Sequence, residues 1–264
     1  GEKDGMERDY DFSSAVYGSD LIASSEIGIN AGNKTIKRLN PQKPNTTSNI
    51  TVVFDPRVSS SLMGHMIGAI NGPAIARGTS FLKDSLHKKI FADCINIIDD
   101  PHMQRGLRSK PFDGEGLANR KQNIIEDGVL QTWLLSLSSA RQLNLKSTGH
   151  ASRGTSGNPG PSPTNLYMAA GELSPEELIK DIKQGFFVTE MMGSSVNGLT
   201  GDYSRGAGGY WIENGEIAYP VSEATIAGNL KEMFLNMTPA SDLTFRYGSN
   251  APTIRIDGMT LAGN

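Results

Sequence analysis

The chain has 264 residues, 37% hydrophobic and 20% charged, with one cysteine and a formal net charge of −3. That composition excludes a disordered chain, and the length allows one large domain or two small ones. The mild negative charge argues against nucleic acid as the main partner, and a lone cysteine excludes an internal disulfide and a thiolate-rich zinc site.

Residues 1–23 are polar with scattered aromatics (Tyr10, Phe12, Tyr17) and read as an extended lead-in. They begin without methionine and without a signal-peptide core, which suggests a fragment of a longer cytoplasmic protein. Ser24-Ser25-Glu26 opens a helical pattern over 24–39, with Ile27, Ala31, Ile36 and Leu39 on one side and Lys34, Lys37 and Arg38 as a solvated cluster. Pro41 and Pro44 mark a linker, so residues 1–49 form a lead-in and 50–264 the main domain. A β-branched strand at 50–54 is closed by Asp55-Pro56, and Ser59, Ser60 and Ser61 offer N-caps for a largely buried helix over 62–70. Residues 91–98 read as a buried strand with Cys94 as a structural thiol.

Two hairpins carry the clearest local signals. Asp127-Gly128 and Asn214-Gly215 each lie between apolar runs and suit a type I′ turn, which needs positive φ at both central positions. Ser174-Pro175-Glu176-Glu177 combines an N-cap, a first-turn proline and a capping box, and opens a helix ended by Gly185. A last helix is predicted over 223–236 and a last strand over 253–256. Strands, hairpins and dispersed helices without βαβ alternation indicate an α+β fold, largely antiparallel and barrel-like, with several helices.

Catalytic signals are few. The four histidines, His65, His87, His102 and His150, show no HExxH spacing and no i+3 to i+5 pairing. His65 reads as a core or partner-facing residue, His87 and His102 as solvated, and His150 as a loop residue to watch. No Gly-x-Ser-x-Gly elbow and no P-loop occur, and the glycines of 201–209 match no dinucleotide fingerprint. The acid pairs Asp99/Asp100 and Asp113/Glu115 read as turn formers.

Taken in order, several segments together resemble one family. They are Val53-Phe54-Asp55-Pro56-Arg57-Val58 with Ser61-Leu62-Met63-Gly64-His65, Ser80-Phe81-Leu82-Lys83-Asp84, Phe112-Asp113-Gly114-Glu115-Gly116, and Ile124-Ile125-Glu126-Asp127-Gly128. Ser147-Thr148-Gly149-His150-Ala151, Pro163-Thr164-Asn165-Leu166, Gly201-Asp202-Tyr203-Ser204 and Gly228-Asn229-Leu230 follow. This succession is similar to the C-terminal portion of the TldD/PmbA family, the "modulator of DNA gyrase" proteins.

The resemblance implies a further N-terminal domain not contained in these residues. It also implies a metallopeptidase context in which TldD-type members carry a His-Glu-x-x-x-His helix and a C-terminal cysteine ligand. The matching positions here are Gly64, His65 and Ala69, and the segment Tyr247-Gly248-Ser249-Asn250-Ala251-Pro252 has no cysteine. The resemblance is therefore to the TldE/PmbA-type, non-catalytic subunit. This chain is expected to carry no catalytic residue, metal or cofactor of its own, with zinc expected only in a TldD-type partner. The expected partners are that catalytic subunit, in a heterodimer, or a second copy of this chain, together with peptide substrates, and no nucleic acid or membrane. Gly193, Ser194, Gly198, Gly201, Asp202 and Tyr203 are the candidate peptide- or partner-facing residues, since glycine-rich strands allow close backbone approach. Three alternatives stand beside this reading. One is a self-associating peptide-binding module that captures strands at a free sheet edge. Another is a hydrolase built near Asp202, Tyr203 and Arg205. The third is a metallopeptidase with ligands drawn from His65, His87, His150 and Cys94.

Overall fold

The computed structural model describes Gly1 and residues 5–263, with only the backbone of Ser194. A 3-10 turn (Gly18–Asp20) and helix α1 (Ser24–Lys37) precede the first strand. Strand β1 (Thr47–Phe54), helices α2 (Pro56–Ala69) and α3 (Gly72–Ala76), and strands β2 (Ile97–Asp100), β3 (Gln122–Glu126) and β4 (Val129–Leu130) follow. Next come helix α4 (Leu137–Leu143), strands β5 (Ala151–Ser152), β6 (Gly160–Pro161) and β7 (Asn165–Met168), and helix α5 (Pro175–Ile179). The chain ends with β8 (Gln184–Val196), β9 (Asp202–Glu213), β10 (Glu216–Asn229), α6 (Leu230–Leu235), β11 (Met237–Pro239), β12 (Ser249–Asn250) and β13 (Ile254–Ala262).

The fold is α+β with a barrel at its centre. Strands β1, β8, β9, β10 and β13 follow one another round a closed ring, because β1 pairs with both β8 and β13, and β11 joins β13 from outside. All these pairings are antiparallel except β1 with β8. Ring closure pairs the strand edges where β1 meets β8 and β13, while β8 runs on past its pairing with β1 at Val188. A second sheet, in the order β12-β7-β2-β3-β4, lies against the same apolar core. Both predicted hairpins form, with φ of 47° and 76° at Asp127 and Gly128 and of 51° and 82° at Asn214 and Gly215.

Helix α2 joins the barrel to the second sheet. It packs on β1, β8 and β12 and buries Leu62, Met63, Met66 and Ala69. Its start differs from the serine caps expected. Asp55 is the N-cap, its carboxylate accepting from the Arg57 backbone N–H at 2.9 Å, and Pro56 takes the first turn. Proline is preorganised there and has no N–H to lose, so the helix begins at Pro56, ahead of all three serines.

Four further expectations are corrected. Residues 223–229 belong to β10, not to a helix, because they pair on both sides, with β9 and with β13. Only Leu230–Leu235 are helical, capped by Asn229, whose side chain accepts from the Lys231 N–H. The helix after Ser174 keeps its capping box but stops at Ile179, and Gly185 lies in β8. Residues 91–96 precede β2, and Cys94 is exposed rather than buried. Finally, α1 buries no residue, and Ile36 is 66% exposed. Charge holds this segment to the body: Lys34 meets Asp11 at 3.6 Å, and Arg38 reaches Asp9, Glu7 and Glu190.

Candidate functional site

A cleft of about 460 Å³ opens where α2, β8 and β9 meet the N-terminal segment. Arg8, Asp9 and Tyr10 form one wall, Arg57, Val58 and Ser61 of α2 another, and Thr189, Glu190, Met191 and Arg205 come from the barrel. These side chains meet there for local reasons. One helical turn separates Arg57 from Ser61 and Ser61 from His65, so the three follow one side of α2. Along β9, Tyr203, Arg205 and Ala207 share a face by strand alternation, while Asp202 points the other way and is exposed.

An ion-pair lattice closes the outer wall. Asp9 accepts from Arg57 Nη1 at 2.7 Å and faces Arg38 Nη1 at 3.5 Å, and Arg38 also pairs with Glu190. Burial pushes the Asp9 carboxyl up, but the Tyr10 backbone N–H and the Arg57 and Arg38 guanidiniums outweigh it and hold it below the usual carboxylate value. Burial likewise opposes the charge on Arg38, yet Glu190, Asp9 and Glu7 keep its guanidinium above its ordinary value.

The inner wall is poorer in partners. The His65 ring packs edge-on against Tyr203, centroids 5.7 Å apart. Burial, with Arg205 adding to it, lowers the His65 pKa. Burial pushes the Tyr203 phenol up to about 12, Arg205 only partly opposing, and the phenol donates to Met191 Sδ at 3.2 Å. Among the described residues, His65 Nε2, Thr189 Oγ1 and Arg205 Nε are buried without a hydrogen-bond partner.

The sequence-derived candidates spread along the β8–β9 hairpin and its turn. Gly193 is exposed with φ 65°, and Gly201 needs φ 87° to turn into β9. The Gly198 carbonyl accepts from the Phe81 N–H at 2.8 Å. Asp202 accepts from Thr200 Oγ1 at 2.6 Å and Asn229 Nδ2 at 3.0 Å, which together lower its pKa. Tyr203 is buried, and the side chain of Ser194 lies outside the described residues. The hairpin thus does not bring Asp202 together with Tyr203 and Arg205.

The histidines and Cys94 do not gather either. His150 is buried at 1% exposure against Thr148, Gln122 and Asp99, and Asp99 in turn accepts from Thr164. His102 contacts Asn119 at 2.9 Å, and His87 sits in an exposed turn with φ 60°. No group of three His, Cys, Asp or Glu side chains among the described residues could hold a metal ion. At the positions Gly64, His65 and Ala69 the donor set is a lone imidazole beside the Arg205 guanidinium, which does not fit a dication. Asp9, Arg38, Arg57 and Thr189 escaped the sequence reading. They come from four distant segments, and nothing local in any of them signals the meeting point.

The comparisons agree with this architecture. Residues 47–263 match the family profile described as the PmbA/TldA metallopeptidase C-terminal domain. The metalloprotease PmbA of Escherichia coli O157:H7 is 43% identical over 263 residues, 99% of this chain and 56% of that protein. The PmbA homolog of Haemophilus influenzae is 38% identical, over 100% of this chain and 57% of its own length. This chain therefore spans little more than half of the curated relatives it matches. Among solved structures, a Bacteroides thetaiotaomicron protein under the working designation "modulator of DNA gyrase" superposes with a TM-score of 0.86 at 30% identity, covering 96% of this chain and 55% of its own. TldE from Thermococcus kodakarensis gives a TM-score of 0.81 at 25% identity, covering 90% of this chain and 55% of its own.

Proposed function

We propose a function for this chain on the premise that it belongs to the PmbA/TldD metallopeptidase family, as the family match over residues 47–263 and the 43% identity to the E. coli protein show. The proposed role is the TldE/PmbA-type, non-catalytic subunit of a two-subunit peptidase. A TldD-type partner would supply the zinc and the base, and the pair would cut unfolded or modified peptides in peptide maturation or antitoxin degradation. The observation that carries this reading is the donor set on α2. Gly64 and Ala69 have no ligand atom, and the one imidazole between them is turned toward Tyr203 and Arg205. Zinc hydrolysis needs about three protein ligands and a base for the bound water. Neither is available at these positions.

In the proposed pair this chain binds and positions rather than reacts. Its contribution is a barrel wall, the β8–β9 hairpin and the cleft beside them. The test is peptide hydrolysis by the full-length protein alone, by a TldD-type partner alone, and by the two mixed. The reading expects activity that depends on the mixture and disappears with chelator. Chelator-sensitive hydrolysis by this protein alone, or an inactive mixture, would refute it.

One observation favours a second reading, the self-associating peptide binder. Strand β8 pairs with β1 only over Gly185–Val188. Beyond that, residues 190–196 have no strand partner on that edge among the described residues, and such an edge can accept an added strand. Size-exclusion chromatography separates the two readings: a homodimer that persists when the partner is added favours the second.

A further inference from the structure

The three buried side-chain atoms left without partners among the described residues do not scatter through the protein. Thr189 and Arg205 line the cleft directly. His65 lies one helical turn beyond Ser61, another lining residue, and feels the charge of Arg205. Thr189 is 8% exposed, so its hydroxyl has no ready access to bulk water. Buried polar groups in folded proteins nearly always have partners, and a group that lacks one calls for an explanation.

Charge completes the picture. The lining carries four arginines, Arg8, Arg38, Arg57 and Arg205, against the two carboxylates Asp9 and Glu190. Arg38 and Arg57 are engaged by Asp9, Glu190, Glu7 and Asp55. Arg205 makes no ion pair and no side-chain hydrogen bond among the described residues, and Arg8 is exposed at the mouth. The cleft thus holds cationic charge with no internal anion assigned to it.

We infer that this cleft is a binding site for a carboxylate group, carried by a peptide or by a free small acid. The donor chemistry selects that class. The Arg205 Nε–H can only donate, and the Thr189 hydroxyl beside it in the lining can donate. One group that accepts from both is a carboxylate, whose two oxygens offer about four acceptor positions. Glu190 and Asp9 at the rim disfavour a dianion such as phosphate more than a monoanion. The inference rests on the cleft of this chain alone and does not require a catalytic partner.

The test is isothermal titration of this chain with acetyl-trialanine as its free acid, with the same peptide as its C-terminal amide, and with acetate. The free acid is expected to bind at least about tenfold more tightly than the amide, the scale of one charge-assisted hydrogen bond. Arg205→Gln should abolish that preference. Thr189→Val should weaken the acid several-fold while melting no lower than the parent, because it removes a hydroxyl that has no partner. That combination separates a binding role from a structural one. Acetate binding as tightly as the peptide acid would assign the site to free carboxylates, and much weaker acetate binding would assign it to peptide ends. Equal affinity for acid and amide, no binding of the acid at millimolar concentration, or a preference that survives Arg205→Gln would overturn the inference.

Discussion

Replacing Asp9 by asparagine probes how the N-terminal segment is held. The Asp9 side chain is 2% exposed, meets Arg57 Nη1 at 2.7 Å and Arg38 Nη1 at 3.5 Å, and accepts from the Tyr10 N–H at 2.7 Å. Asparagine keeps an acceptor but loses the charge. A hydrogen bond to a charged group contributes about 1.5–3 kcal/mol, and a neutral one about 0.5–1.5. The Arg57 contact then weakens by about 1 kcal/mol and the longer Arg38 contact by less, for a total of about 1–2 kcal/mol. The larger loss expected when a buried charge is stranded does not apply, since Arg57 retains Asp55 and Arg38 retains Glu190 and Glu7.

Because α1 buries no residue, that loss should fall on detachment of the segment and not on global unfolding. About 1–2 kcal/mol corresponds to a roughly 5–30-fold rise in the opening equilibrium. Hydrogen exchange measures it directly: amides of α1 should lose protection by that factor while those of β9 and β10 do not change. The parent chain should lose the same contribution at low pH. The Asp9 carboxyl is held below 3.8 in the folded state, so its stabilisation is complete above that value and disappears as pH falls through the lower one. Equal loss of protection in α1 and in the barrel, or none in α1, would refute the view that these ion pairs hold the segment.

Four further outcomes follow from single residues. An added Cβ at Gly209 would lie 1.9 Å from the Phe187 carbonyl oxygen, so Gly209→Ala should force β8 and β9 apart and cost at least the upper end of about 1–3 kcal/mol. Gly64→Ala meets nothing within 4 Å and should stabilise α2 by about 0.5–1 kcal/mol; thermal melting of the two variants should move in opposite directions. His65 has its folded pKa lowered below 6.5, so the unfolded state takes up the proton first and stability should fall as pH drops below that value, a slope that His65→Gln removes in urea titrations. Cys94 is an exposed residue whose thiol is partly shielded, which with the nearby Asp93 raises its pKa, so a thiol reagent should modify it in the native protein, slowly at neutral pH and faster as pH rises.

What was legible in the sequence was local. Asp127-Gly128 and Asn214-Gly215 announce their hairpins because positive φ at both central positions is a property of the dipeptide itself. Ser174 and Glu177 announce their capping box for the same reason. The length of an element was legible only where its neighbours agree. Residues 223–229 carry a helical spacing of apolar side chains, yet two flanking strands draw them into β10. Asp55 and Pro56 outcompete three serines as a helix start. The family-bearing segments are legible as a succession, each weak by itself. Of the cleft only Arg205 was singled out in the sequence, and with the wrong neighbours, since Asp9, Arg38, Arg57 and Thr189 meet it only after ring closure brings α2 beside β8 and β9.

The proposed role requires that this chain carry no zinc chemistry of its own. The most direct measurement is its zinc content by mass spectrometry, after exposure to excess zinc and desalting. Far less than one equivalent is expected, unchanged by His65→Ala. About one tightly held zinc per chain, lost in that variant, would contradict it.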